Sequence, residues 1–211
     1  AHFISKDNAE EIVESGLDRM IISIDGLTQD TYSQYRVNGQ LSKVIEGTKH
    51  IVEAKKRLKS STPFLIFQFL AVAPNEHEID DVFTLGKEME IDEVRIKTAQ
   101  LYDFKNGNPL MPKNDKYSRY ALGKNGEYRL KNKMLNECWR MWTSAVFTWD
   151  GKVVPCCFDK DALHQLGDVS VDSFRSIWRH PKYAAFRKQV FTGRDQIEIC
   201  KNCTEGTKVW S

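Results

Sequence analysis

The first 137 residues contain no cysteine, and all five thiols fall in the last 74 residues. An odd number of clustered thiols does not suit a disulfide framework. No charged-then-apolar segment of the secretory type opens the sequence. No apolar run approaches the roughly 18 residues that a membrane span needs. A cytoplasmic location is therefore expected, with no membrane partner. There, clustered cysteines more often bind metal or do redox work than form bridges. Charge of one sign is lacking as well: 31 basic side chains stand against 29 acidic ones, for a formal net charge of +2. That balance argues against a nucleic-acid partner. The most basic stretch, Lys49 to Lys59, falls on an amphipathic helix and reads as a solvated face. No glycine-rich phosphate loop is present, so a flavodoxin-like binding domain has no support.

What is present in the first hundred residues is an alternation of helix and strand. Ala9, Ile12 and Val13 form a helical stripe, and Gly16 sits where a C-terminal cap belongs. Met20 to Asp25 reads as a strand, and Gly26-Leu27-Thr28 turns the chain. Leu41, Val44, Ile45, Thr48, Ile51, Val52 and Leu58 recur at helical spacing. Phe64 to Val72 is a nearly continuous apolar run, which suits a parallel strand covered by helices. Asn75 is placed to cap a helix carrying Ile79, Val82, Phe83 and Met89 on one face. Glu93 to Thr98 reads as a third strand. The order favours a parallel α/β sheet. Side chains alternate along a strand, so Ser23 and Asp25 share a face, as do Arg95 and Lys97. Gln68 interrupts its strand. Ligands of such sheets sit at the C-terminal strand ends, which makes Ser23, Asp25 and Lys97 candidates for a polar binding surface.

The last seventy residues read as a cysteine module. Ala145 to Trp149 and Lys152 to Val154 flank Asp150-Gly151, which predicts a hairpin with a type I′ turn. Ser170 is placed to cap a helix over 172–178, and Pro181 to start another that runs to about Thr192. Tyr183, Phe186 and Val190 form the apolar stripe of that second helix. Cys138 and Cys156 would meet across the hairpin. Cys200-Lys201-Asn202-Cys203 supplies two more thiols. Four thiols so arranged suit either a tetrahedral metal or an iron–sulfur cluster. Cys157 would face away from Cys156 and reads as a small packing residue.

Two segments carry a family resemblance. Residues 16–36, GLDRMIISIDGLTQDTYSQYR, resemble the fourth strand and following turn of the radical S-adenosylmethionine barrel. Cys138-x12-Gly151-x4-Cys156, then Phe158-Asp159-Lys160, Leu166-Gly167-Asp168, Ser176-Ile177-Trp178 and Cys200-x2-Cys203, resembles the SPASM auxiliary-cluster module. The resemblance implies an α/β fold: half of a radical β/α barrel over 1–100, a linker over 101–137 and a small α+β SPASM module over 138–211. It implies one 4Fe–4S auxiliary cluster held by Cys138, Cys156, Cys200 and Cys203. Ser23 and Arg36 match family positions that hold the methionine carboxylate of S-adenosylmethionine, and Asp25 would orient its neighbours.

The family's C-x3-C-x2-C is absent. The resemblance therefore implies a portion of a longer oxidoreductase, itself inactive, whose parent binds S-adenosylmethionine at a second 4Fe–4S cluster. A peptide, protein or small molecule would be its substrate, and a flavodoxin or ferredoxin its reductant. No catalytic acid or base is assigned. Four thiolates also serve zinc, so a zinc-binding structural or interaction module is the alternative.

Overall fold

The computed structural model describes residues 1–204, so the end of the expected module, 205–211, lies outside the described residues. The chain divides between Arg129 and Leu130 into two compact units.

In the first unit, α1 (Lys6–Glu14) starts at Ser5, which forms a reciprocal capping box with Asn8. Gly16 follows the helix at φ +74°, the left-handed conformation that glycine tolerates best. β1 (Arg19–Ser23), β2 (Phe64–Ala71) and β3 (Glu93–Thr98) form a parallel sheet in that order. The third strand has the expected bounds, and β1 stops two residues sooner than expected. A short helix absent from the sequence reading, α2 (Gln29–Tyr35), follows the Gly26 turn and is capped by Thr28. Gly26 cannot be replaced: a Cβ there would lie 2.4 Å from the backbone nitrogen of Tyr32.

α3 (Leu41–Arg57) buries Leu41, Val44, Gly47, Thr48, Ile51 and Ala54, while Ile45 and Val52 are half-buried and Leu58 is exposed. Its basic end is a solvated face tied into surface ion pairs: Lys55 with Asp92, Lys56 with Glu90 and Arg57 with Glu10. Such pairs contribute little stability individually. α4 (Ile79–Glu88) buries Ile79 and Val82 but leaves Phe83 exposed. Ile22, Phe67 and Phe69 form the apolar side of the sheet with these helices.

Asn75 departs from its expected role as a helix cap. It precedes a 3-10 turn (Glu76–Glu78) without a side-chain capping bond. Fully buried, it accepts from Val72 N at 2.8 Å and donates to Leu70 O at 2.9 Å and Asp25 O at 3.0 Å. It thus ties the ends of β1 and β2 together. Residues 101–129, expected as part of a linker, fall in this first unit. There the Tyr120 hydroxyl donates to Leu101 O, and β4 (Tyr120–Leu122) pairs with β5 (Tyr128–Leu130).

The second unit opens with α5 (Arg140–Thr143). β6 (Val146–Phe147) and β7 (Lys152–Val154) pair antiparallel, and β8 (Gly167–Asp168) adds to β7. The turn is not type I′. Gly151 is at φ +86° but Asp150 is not left-handed, and Thr148 N–H bonds Lys152 O across a longer loop. α6 (Phe174–Arg179) begins at Ser173, not Ser170. Ser170 instead donates its N–H and hydroxyl to Asp168. α7 (Pro181–Gly193) buries Tyr183, Phe186 and Val190 as expected. Gly167 joins two of the quoted motifs, because a Cβ there would lie 2.5 Å from Ile177.

Replacing Asn75 by alanine strands three buried backbone groups. At about 1 kcal/mol or more for each unmade bond, the variant should lose about 3 kcal/mol in urea unfolding. A loss below about 1 kcal/mol would show that the strand ends hold without it.

Candidate metal centre and the polar sheet end

The polar end of the sheet is built by register. Ser23 pairs with Gln68, and Gln68 with Arg95, so three polar residues lie side by side across the strands. Arg95 is engaged by Glu93 on its own strand, with Nη2 at 2.7 Å from Oε2. Lys97 is exposed further along the same strand, in register with Leu70. Asp25 is 1 % exposed and uses both carboxylate oxygens: Oδ2 accepts from Arg36 Nε at 2.5 Å and Oδ1 from Leu70 N at 2.7 Å. Arg36 caps the C-terminal end of α2 and its side chain is 39 % exposed. The structure therefore brings Asp25 and Arg36 together as a half-buried ion pair, with Ser23 at the end of β1.

Cys138, Cys156, Cys200 and Cys203 all line one pocket, together with apolar walls that include Met141, Phe158 and Phe186. Cys157 is exposed and does not line it. The selection of Cys156 over Cys157 has a different origin from strand alternation. Both residues lie past the end of β7, in a bend and turn. Asp159, 2 % exposed, closes that turn by donating its backbone N–H to Cys156 O at 3.1 Å, and its carboxylate holds the following loop by accepting from Leu163 N and His164 N at 2.9 Å each. Cys157 is accordingly not the packing residue that its sequence suggested. Two 3-10 turns, Arg194–Gln196 and Glu198–Cys200, lead to the last two thiols: Cys200 ends the second and Cys203 lies just beyond it. A second, open cavity borders Cys138 and is lined by Glu137, Trp139, Trp142 and Phe191.

Soft thiols within apolar walls are the donor set that iron–sulfur clusters and zinc take. Among the described residues no three His, Cys, Asp or Glu side chains stand as the ligands of one ion. The thiols share a pocket without yet forming a ligand sphere. Burial pushes the Cys156 thiol up to about 12. It pushes Cys200 up to about 11, with the Arg194 charge acting in the opposite direction. Both are protonated at neutral pH without metal, so ligation releases protons and becomes easier as pH rises.

The sequence reading missed Arg194, which is 1 % exposed and donates from Nη2 to Cys203 Sγ at 3.3 Å. Nothing local marks it, since it stands outside the cysteine motif. Trp139, Trp142, Trp149 and Phe174 of the module are all exposed. The core is instead Met141, Val153, Ile177, Tyr183, Phe186 and Ile197 with their neighbours.

The geometry defines a class: an α/β protein with a parallel sheet, joined to a small module that gathers four thiols. Residues 138–204 match the SPASM family, an iron-sulfur cluster-binding domain. The chain is 26 % identical over 194 residues to a GTP 3',8-cyclase of Alkaliphilus oremlandii, covering 82 % of this chain and 57 % of that protein. It is 35 % identical over 60 residues to an S-adenosyl-L-methionine-dependent 2-deoxy-scyllo-inosamine dehydrogenase of Niallia circulans, covering 28 % of this chain and 24 % of that protein. In fold it resembles native anSMEcpe with bound AdoMet, at TM-score 0.60 and 18 % identity, covering 96 % of this chain and 60 % of the other. The chain thus spans less than two thirds of each of these proteins. Residues 138–204 thus match the iron-sulfur cluster-binding SPASM domain, and in fold the chain is similar to anSMEcpe with bound AdoMet. Its curated relatives are enzymes. Among the described residues no helix is long and apolar enough to cross a membrane.

Two outcomes follow from the thiol environment. Alanine at Cys138, Cys156, Cys200 or Cys203 should abolish iron loading, measured as iron per chain after anaerobic reconstitution. Cys157→Ala should load normally and change stability by less than about 0.5 kcal/mol, as exposed sites do. Loss of iron in Cys157→Ala but not in Cys156→Ala would reverse the assignment. The second outcome concerns pH. An unfolded thiol titrates at about 8.5, whereas the folded pocket keeps the Cys156 proton up to about 12. Above about pH 8.5 the unfolded chain therefore binds fewer protons than the native one, and stability falls as pH rises. Metal-free protein should lose stability more steeply above that pH than its Cys156→Ala variant, read by urea unfolding. Equal slopes would contradict the burial.

Proposed function

We propose that this chain is part of a radical S-adenosylmethionine iron–sulfur oxidoreductase in which Cys138, Cys156, Cys200 and Cys203 hold one 4Fe–4S auxiliary cluster. The observation that carries the reading is the convergence of four thiols on one apolar pocket with the fifth left outside. Four protein ligands leave no iron open to substrate, so the cluster serves electron transfer or structure. When bound, such a cluster supplies one-electron chemistry, and S-adenosylmethionine at an open-iron cluster supplies hydrogen-atom abstraction.

The chain's own contribution at the sheet end is recognition. Asp25 holds Arg36 through Nε, which orients the rest of the guanidinium fork toward a carboxylate. Ser23 offers a hydroxyl at the end of β1. These residues would hold the methionine carboxylate of S-adenosylmethionine, on a sheet that forms the C-terminal half of a radical barrel. A flavodoxin or ferredoxin fits as electron donor. The similar proteins differ in substrate: a GTP cyclase, an inosamine dehydrogenase and a structure of anSMEcpe with a Kp18Cys peptide. The substrate class proposed here is correspondingly broad: a peptide, a protein or a small molecule.

Anaerobic reconstitution with iron and sulfide should give about four irons per chain and broad visible absorbance. Uptake of zinc alone under every reducing condition would favour a structural zinc module instead. Because the sequence has no C-x3-C-x2-C, this chain by itself should neither bind nor cleave S-adenosylmethionine in equilibrium dialysis and product assays. Turnover by this chain would overturn the proposal.

A further inference from the structure

Arg194 is among the largest fully buried side chains of the protein, and it is charged. It stands on the 3-10 turn that follows α7 and lines the four-thiol pocket. Its guanidinium spans both halves of the donor set. Nη1 donates to Glu137 O at 2.6 Å, beside Cys138, and Nη2 donates to Cys203 Sγ at 3.3 Å. Its backbone N–H is held by Asn136 Oδ1 at 3.1 Å. Three bonds thus fix a positive charge against the thiols. As a neutral thiol, Cys203 is a weak acceptor; as a cluster ligand it is a thiolate, and the bond becomes charge-assisted.

We infer that Arg194 is a positioning residue for the iron–sulfur cluster, whose guanidinium donates to the Cys203 ligand and raises the cluster's reduction potential. The inference rests on the four cysteines holding that cluster. One-electron reduction adds a negative charge to the centre. A fixed cation within hydrogen-bond distance, in a poorly screened interior, stabilises the reduced form more than the oxidised one. Arginine suits the position because it keeps its charge where a buried lysine gives up its proton, and because its fork reaches two partners at once.

The test compares wild-type chain with Arg194→Lys and Arg194→Gln after anaerobic reconstitution. Iron is counted first, and each loaded protein is then titrated with dithionite under electron paramagnetic resonance. The glutamine variant keeps a donor without the charge. It should shift the reduction equilibrium at least tenfold toward the oxidised form, about 59 mV for one electron. The lysine variant should fall between glutamine and wild type. A loaded glutamine variant with the wild-type potential overturns the inference alone. Wild-type protein that takes up no iron overturns the cluster reading and this inference with it. Should neither variant keep its cluster, Arg140→Gln protein labelled with 15N-guanidino arginine removes the other arginine lining the pocket. Its reduced cluster should show a 15N hyperfine coupling in pulsed resonance, and no coupling refutes the contact.

Discussion

Two pairs of cysteines far apart in sequence must reach one place, and the apolar core of the second unit is what brings them there. Met141 follows Cys138 closely, Val153 precedes Cys156, and Ile197 and Ile199 precede Cys200; all are buried in the same cluster with Tyr183, Phe186 and Val190 of α7. Each thiol is thus carried by a segment anchored through a neighbouring apolar side chain. The motif residues between them serve that anchoring. Gly167 is small because Ile177 occupies the space a side chain would need. Asp159 satisfies the backbone of the loop after Cys156. Metal ligation then acts on a pocket that hydrophobic burial has already assembled.

A buried charge appears in each unit, and each is held by several bonds. Asp25 takes two through its carboxylate and one through its carbonyl. Arg194 takes bonds on both sides of the thiol pocket. Burying an ion without such partners costs several kcal/mol, so the contacts around each are constrained in position. Asp25 fixes the geometry of the Arg36 guanidinium through Nε. The two sites differ in sign. The sheet end offers a cation anchored by a carboxylate, and the module offers thiols faced by a cation.

The sequence by itself determined the periodic features. The apolar run of β2, the bounds of β3, the stripe of α7 and the spacing of the thiols depend on local repeats of two or 3.6 residues, or on fixed intervals, and these are legible without any fold. Helix starts were less legible: Ser170 and Ser173 both suit a cap, and the choice of Ser173 follows from Asp168 binding Ser170. Only the tertiary structure decided Asn75 as a clasp between strand ends, the core of the module, and Arg194 as its buried cation. The physical reason is common to all three. Each depends on a partner distant along the chain, such as Asp25 for Asn75 or Glu137 for Arg194, and hydrogen bonding and burial across such distances leave no mark on the local residue pattern.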